Sequence, residues 1–201
     1  MSYNKLKSLV ANVEAIATAM KIRIDDRQAT DQEKEVLSRY SGFGGIKDVL
    51  SIGTEHTVSN DVAEHIHRLQ DLIEAYPYYD DAMRQAVIDS IKSSVLTAFY
   101  TPKFLIDAVA RQIHATFMDN GLQMRTFLEP SAGIGGFLPV AMPDTRGYAF
   151  EKDCLTGLIL SLLHDKTTTV TAGFETIADQ HLEHGSFDAV SYTHLTLPTI
   201  R

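Results

Sequence analysis

The chain has 201 residues, room for one domain or one domain with an extension, and its 44% apolar content is ordinary for a globular protein. A formal charge of −8 and the lack of any basic run argue against a stand-alone nucleic-acid binder, whose affinity comes largely from neutralising phosphates. No apolar run reaches the ~20 residues of a membrane helix, and the N-terminus lacks the form of a secretory signal. The one cysteine, Cys154, excludes an internal disulfide and a cysteine-built zinc site, and fits a reducing cytoplasm.

Residues 5 to 20 place Leu6, Leu9, Val10, Val13, Ile16 and Met20 at intervals of three and four, the pattern of an amphipathic helix, with Asn12 and Glu14 interrupting it. "TDQE" at 30 to 33 predicts a capping box from Thr30 to Glu33, opening a helix that ends near "RYSGFGG", residues 39 to 45. A third helix is expected over 60 to 75, with Val62, Ile66, Leu69 and Ile73 on one face, broken by "YPYYDD". A fourth, about 80 to 95, carries Met83, Val87 and Ile91, so residues 1 to 95 read as an all-helical region.

The pattern then changes. Thr101 and Pro102 predict an N-cap and first-turn pair for a helix through Phe104, Leu105, Val109, Ile113 and Phe117, stopped by Gly121. "RTFLEP" reads as a buried strand, followed by only a short helix because Pro139 and Pro143 interrupt it. "GYAFE", "TTVTA" and "FDAV" read as three more strands, with "DCLTGLILSLLH" a helix and "FETIADQHLEH" a short helix or loop between them. Alternating strands and helices predict an α/β fold with a mostly parallel sheet over 96 to 190.

The stretch "FLEPSAGIGGF", residues 127 to 137, carries the chemistry. A strand running into a glycine turn is a common ligand site, because ligands sit at the carboxyl ends of parallel strands and glycines allow positive φ and close approach. The dinucleotide fingerprint is not met, since position 138 is Leu, and no Gly-Lys-Ser/Thr follows for a phosphate loop. Glu151, eighteen residues beyond Gly133, stands where an acid can accept hydrogen bonds from ribose hydroxyls. Ribose recognition fits NAD or S-adenosylmethionine. Glu129, ahead of the glycines, tilts the choice towards S-adenosylmethionine, because an acid is unhelpful beside a phosphate and useful beside an amino group.

These residues resemble the cofactor motif of amino-methylating DNA methyltransferases, D/E-P-x-x-G-x-G-x-F, matched at Glu129, Pro130, Gly133, Gly135 and Phe137. Upstream, "TAFYTPKFLIDAVA" resembles the F-Y-T-P segment of the adenine-specific members. The resemblance implies an S-adenosylmethionine-dependent, Rossmann-like methyltransferase sheet, incomplete here and preceded by an all-helical N-terminal region. It implies Tyr100, Thr101 and Pro102 near the methionine end of the cofactor, Glu129, Gly133 and Gly135 around its amino acid portion, and Glu151 at the ribose. "AGFET" is similar to the segment that contacts the adenine ring, which marks Phe174 and Glu175. "RYSGFGG" resembles a segment ahead of methyltransferase domains in methylase–helicase proteins of phages and conjugative elements.

One part of the family pattern is missing. An Asn/Asp-Pro-Pro-aromatic motif should follow the fourth strand, its side chain accepting from the target amine and its ring stacking on a flipped base. Here Val190 is followed by "SYTHLTLPTIR", which resembles translated sequencing-adaptor sequence, so the natural chain is expected to diverge after about Ser191. The expectation is a DNA adenine methyltransferase fragment, with the cofactor half (96 to 190) present, no catalytic residue, a non-native-looking tail (191 to 201), and no activity by itself. DNA is the expected partner of the whole protein, with no membrane or metal. The alternatives are a non-catalytic cofactor-binding module, an RNA or protein methyltransferase, which generally lacks F-Y-T-P, and an NAD-dependent oxidoreductase. His65, His67, His181 and His184 read as solvated histidines and Cys154 as a small core residue.

Overall fold

The computed structural model describes residues 4–54, 59–98, 100–180 and 187–191. The chain divides into two compact units, Met1–Tyr100 and Thr101–Arg201.

The first unit is helical. Helix α1 (Lys5–Ile24) is capped by Asn4, whose side chain accepts from the Lys7 N–H at 3.0 Å. It buries Leu9, Val13, Ile16 and Met20, as the spacing predicts, and also Asn12. Helix α2 (Asp31–Leu37) carries the expected capping box, with Glu33 answering the Thr30 N–H at 2.9 Å. Arg27 grips the same carboxylate with two nitrogens, at 2.8 and 2.6 Å. Helix α3 (Asn60–Ala75) buries Ile66, Leu69 and Ile73. Helix α4 (Asp81–Ser94) is capped by Asp80 and buries Val87 and Ile91, while Met83 is exposed. Between them "YPYYDD" is more than a surface break: Tyr76 is buried, with the Tyr78 and Tyr79 rings edge-on to it.

"RYSGFGG" follows α2 as a tight turn with Gly42 and Gly45 at φ +67° and +73°. It is held by Asn12, which is fully buried: its Nδ2 donates to the Gly42 carbonyl at 2.6 Å, and its Oδ1 accepts from the Ser41 N–H at 2.8 Å. A Cβ on Gly42 would stand 2.9 Å from that of Ala98 and 3.3 Å from the Tyr100 ring, so the turn is packed against the end of its own unit.

The second unit is α/β. Helix α5 (Lys103–Asp119) starts one residue later than the sequence suggests. Pro102, not Thr101, is the N-cap; its extended ψ of 137° keeps it out of the helix, and no side chain caps the end. The buried face also differs from the apolar residues picked out in the sequence. Ile106 and Ala110 are buried and Ile113 and Phe117 half-buried, while Phe104, Leu105 and Val109 are exposed. Gly121, at φ +63°, ends the helix as expected.

Strand β1 (Thr126–Glu129) leads into the glycine turn and a single 3-10 turn, Leu138–Val140. Strand β2 (Arg146–Phe150) leads to helix α6 (Cys154–Leu163), which Asp153 caps by accepting from the Thr156 N–H at 2.7 Å. Strands β3 (Thr168–Val170) and β4 (Ala189–Val190) flank them, with a 3-10 turn, Phe174–Gln180, after β3. All pairings are parallel and the order is β3-β2-β1-β4. This is the α/β arrangement expected from the strand–helix alternation, and it is compatible with a Rossmann-like fold. β1 lies inside the sheet, its Phe127 packed in one core with Ala149, Leu160 and Val140, and the strand order reverses beside it. At such a switch point a crevice opens beyond the strand ends.

Candidate functional site: the turn after β1

Two carboxylates converge on this turn. Glu129 is the last residue of β1 and only 3% exposed. Its Oε1 accepts from the Phe137 N–H at 3.2 Å, which folds the turn back over the strand end. Its Oε2 is buried and has no hydrogen-bond partner among the described residues. Burial pushes the Glu129 carboxyl up to about 8, the Phe137 N–H pulls the other way, and the charge of Glu151 adds to the rise.

Glu151, one residue beyond β2, is half-buried. Its Oε2 accepts from the Gly133 N–H at 2.7 Å and its Oε1 from the Asp153 N–H at 2.8 Å. One side chain thus ties the glycine turn to the start of α6. Burial raises this carboxyl too, against the pull of the two N–H donors. Each carboxylate oxygen still has a lone pair to offer a further donor.

The turn has its own backbone logic. Gly133 and Gly135 sit at φ +57° and +82°, a region costly for residues with a Cβ. The Ala132 N–H donates to the Phe150 carbonyl at 2.8 Å, and the Gly135 N–H to the Ala132 carbonyl at 2.8 Å. A Cβ on Gly135 would lie 2.5 Å from His164 Nε2 and 2.7 Å from Leu138 Cδ1. The glycine there makes room for protein as well as permitting the dihedral, a reason that pattern alone does not reveal.

The remaining predicted residues divide. Pro130 is buried beside Glu129. Phe174 is half-buried, its ring 5.5 Å from that of buried Phe150 and edge-on at 89°. It packs against the last residue of β2. Glu175 is exposed, its carboxylate folded against the space beside Gly173. Thr101 and Pro102 begin the second unit, and Tyr100, 40% exposed, ends the first. Thus Glu129, Pro130, Gly133, Gly135, Glu151 and Phe174 gather at the ends of β1 and β2. His164, which the sequence reading passed over, joins them.

Among the described residues there is no group of His, Cys, Asp and Glu able to hold a metal ion, and no helix is long and apolar enough to cross a membrane. His65 is half-buried and His67 exposed on α3, and Cys154 is half-buried at the start of α6. His181, His184 and the tail 192–201 lie outside the described residues. Comparison with protein-family models, with curated proteins and with solved structures finds no match for the chain.

Proposed function

We propose that the chain carries the cofactor-binding half of a cytoplasmic, S-adenosylmethionine-dependent methyltransferase whose target is the exocyclic amine of adenine in DNA. The observation that carries the reading is Glu129 Oε2, a buried acceptor with no partner among the described residues, at the end of an inner parallel strand beside two positive-φ glycines. An unpartnered buried carboxylate oxygen is costly unless a donor comes to it. A ligand ammonium satisfies it in both charge and hydrogen bonding once the carboxyl has given up its proton.

The residues present fit the cofactor at four points. Glu129 would take the amino group of its methionine portion, the turn 131–136 would lie along that portion, and Glu151 would accept from the ribose with its remaining lone pairs. Phe174, anchored edge-on against Phe150, offers an apolar wall for the adenine ring. The bound cofactor supplies an electrophilic methyl group. The chain's own residues do the holding, and Glu129 must give up its proton to meet an ammonium. The target preference rests on the Tyr100-Thr101-Pro102 segment and its resemblance to F-Y-T-P.

Where the family carries Asn-Pro-Pro-aromatic this sequence reads "SYTH" after Val190, so we expect binding without methyl transfer to DNA. Titration calorimetry with S-adenosylmethionine and with NAD tests the reading. Binding of the first alone, weakened in Glu129→Gln, supports it. Binding of NAD alone, or of neither, overturns it.

A further inference from the structure

The seven residues from Ile134 to Val140 hold the cofactor turn and the 3-10 turn that follows, yet they contain too little regular structure to fix themselves. Their internal bonds end on the carbonyls of Ala132, Gly135, Phe137 and Leu138. The carbonyls of Ile134 and Val140 instead face imidazoles, one from the residue that follows α6 and one from α5. His164 Nε2 stands 2.9 Å from the Ile134 carbonyl, and His114 Nε2 stands 2.9 Å from the Val140 carbonyl. A carbonyl only accepts, so both Nε2 atoms carry a proton and donate.

The two contacts are chemically alike and differ in place. His164 follows α6 and reaches back thirty residues into the glycine turn itself. Its ring fills the space that a Cβ on Gly135 would need. One imidazole thus holds the Ile134–Gly135 peptide at two points: Nε2 donates to its carbonyl, and the same ring edge closes the space beside the Gly135 α-carbon. Gly133, whose N–H meets Glu151, is one residue away. His114, from α5, holds the far end beyond Phe137.

We infer that His164 is a positioning residue for the ligand-binding turn, setting the Ile134–Gly135 peptide so that Gly133, Gly135 and Glu129 face one ligand, and that His114 is a structural counterpart without that role. The inference rests on the reading of this turn as an S-adenosylmethionine site. His164 touches no ligand atom in this scheme; it acts through the backbone it holds.

The test compares His164→Ala, His164→Gln and His114→Ala in the full chain, by S-adenosylmethionine affinity, thermal unfolding and amide hydrogen exchange at Gly133 and Gly135. His164→Ala is expected to weaken affinity about five- to tenfold, the worth of one lost hydrogen bond, and to speed exchange at both glycines. His164→Gln, whose amide nitrogen replaces Nε2, should restore most of both. His114→Ala should lower the unfolding temperature with affinity and glycine exchange unchanged. Equal affinities in His164→Ala and wild type, or equal losses in His164→Ala and His114→Ala, overturn the positioning role. If the wild type binds no S-adenosylmethionine, the cofactor reading fails by itself. Exchange at Gly133 and Gly135 then decides the clamp: faster exchange in His164→Ala alone supports it, and unchanged exchange removes it.

Discussion

The protein contains two glycine turns that look alike in sequence and differ in what holds them. The turn at Gly42–Gly45 is anchored by Asn12, a neutral amide whose donor and acceptor are both used on the turn's backbone. The space beside Gly42 is taken by Ala98 and Tyr100. Nothing in it asks for a ligand. The turn at Gly133–Gly135 is flanked by two carboxylates, one of them with a buried oxygen unanswered by any described residue. Glycines with positive φ mark both, so the glycines do not separate structure from binding. The state of the anchoring polar groups does.

The comparison can be broken most forcefully at Asn12. Replacing it with Ala leaves the half-buried Ser41 N–H and the buried Gly42 carbonyl without their partner and opens a hole, an expected loss of about 2–3 kcal/mol in urea unfolding. A loss under about 1 kcal/mol, the scale of an ordinary surface change, would mean that the first turn holds itself. Gly135→Ala comes next: the positive φ and the His164 ring together should cost about 2–3 kcal/mol of stability and most of the S-adenosylmethionine affinity.

Glu129→Gln sharpens the contrast, because it should cost affinity while sparing stability. Losing the charge opposite an ammonium is expected to weaken binding about tenfold or more by calorimetry. The stability effect depends on pH. In the folded protein Glu129 keeps its proton up to about 8, against an ordinary value of 4.5, so the unfolded chain releases it first. Wild-type stability should therefore fall as pH rises from about 4.5 to about 8, then level off with respect to this group. Glu129→Gln should flatten that slope, leaving the smaller one of the same sign from Glu151. Denaturant midpoints across that range measure it; an equal slope in the variant would mean that Glu129 is not held neutral.

The smallest effect is expected at Asp188, before β4. It accepts from the Arg125 and Thr126 N–H groups at 2.8 and 2.9 Å, which hold its carboxyl below the usual value. That contribution is present above pH 4 and fades as pH falls through the lowered folded value. Asp188→Asn should give a slight loss at neutral pH that vanishes in acid, read from the same midpoints.

Much of this architecture could be read in the sequence wherever the signal was local. The Thr30 capping box spans four residues, and the strand–turn–strand of 126–150 is written in apolar runs and glycines. The unread parts depend on distance along the chain. Asn12 looked like an interruption of an apolar stripe, because its partners lie at 41 and 42. The buried face of α5 was misjudged because Phe104, Leu105 and Val109 are as apolar as the residues that are buried; the turn Leu138–Val140 and the core beneath it decide which face turns inward. Thr101 looked like a cap because Thr-Pro usually opens a helix, yet here the proline itself is the boundary. His164 carries no local signal at all, being one histidine at the end of an apolar helix.

That last residue ties two positions into one inherited character. With His164 present, position 135 admits only glycine. With a small residue at 164 and the Leu138 side chain turned aside, a left-handed-tolerant residue such as asparagine becomes admissible there. In any set of descendants of this sequence, substitutions at 135 and 164 should therefore arrive together, twenty-nine residues apart in the chain, and position 135 should stay glycine wherever the histidine stays.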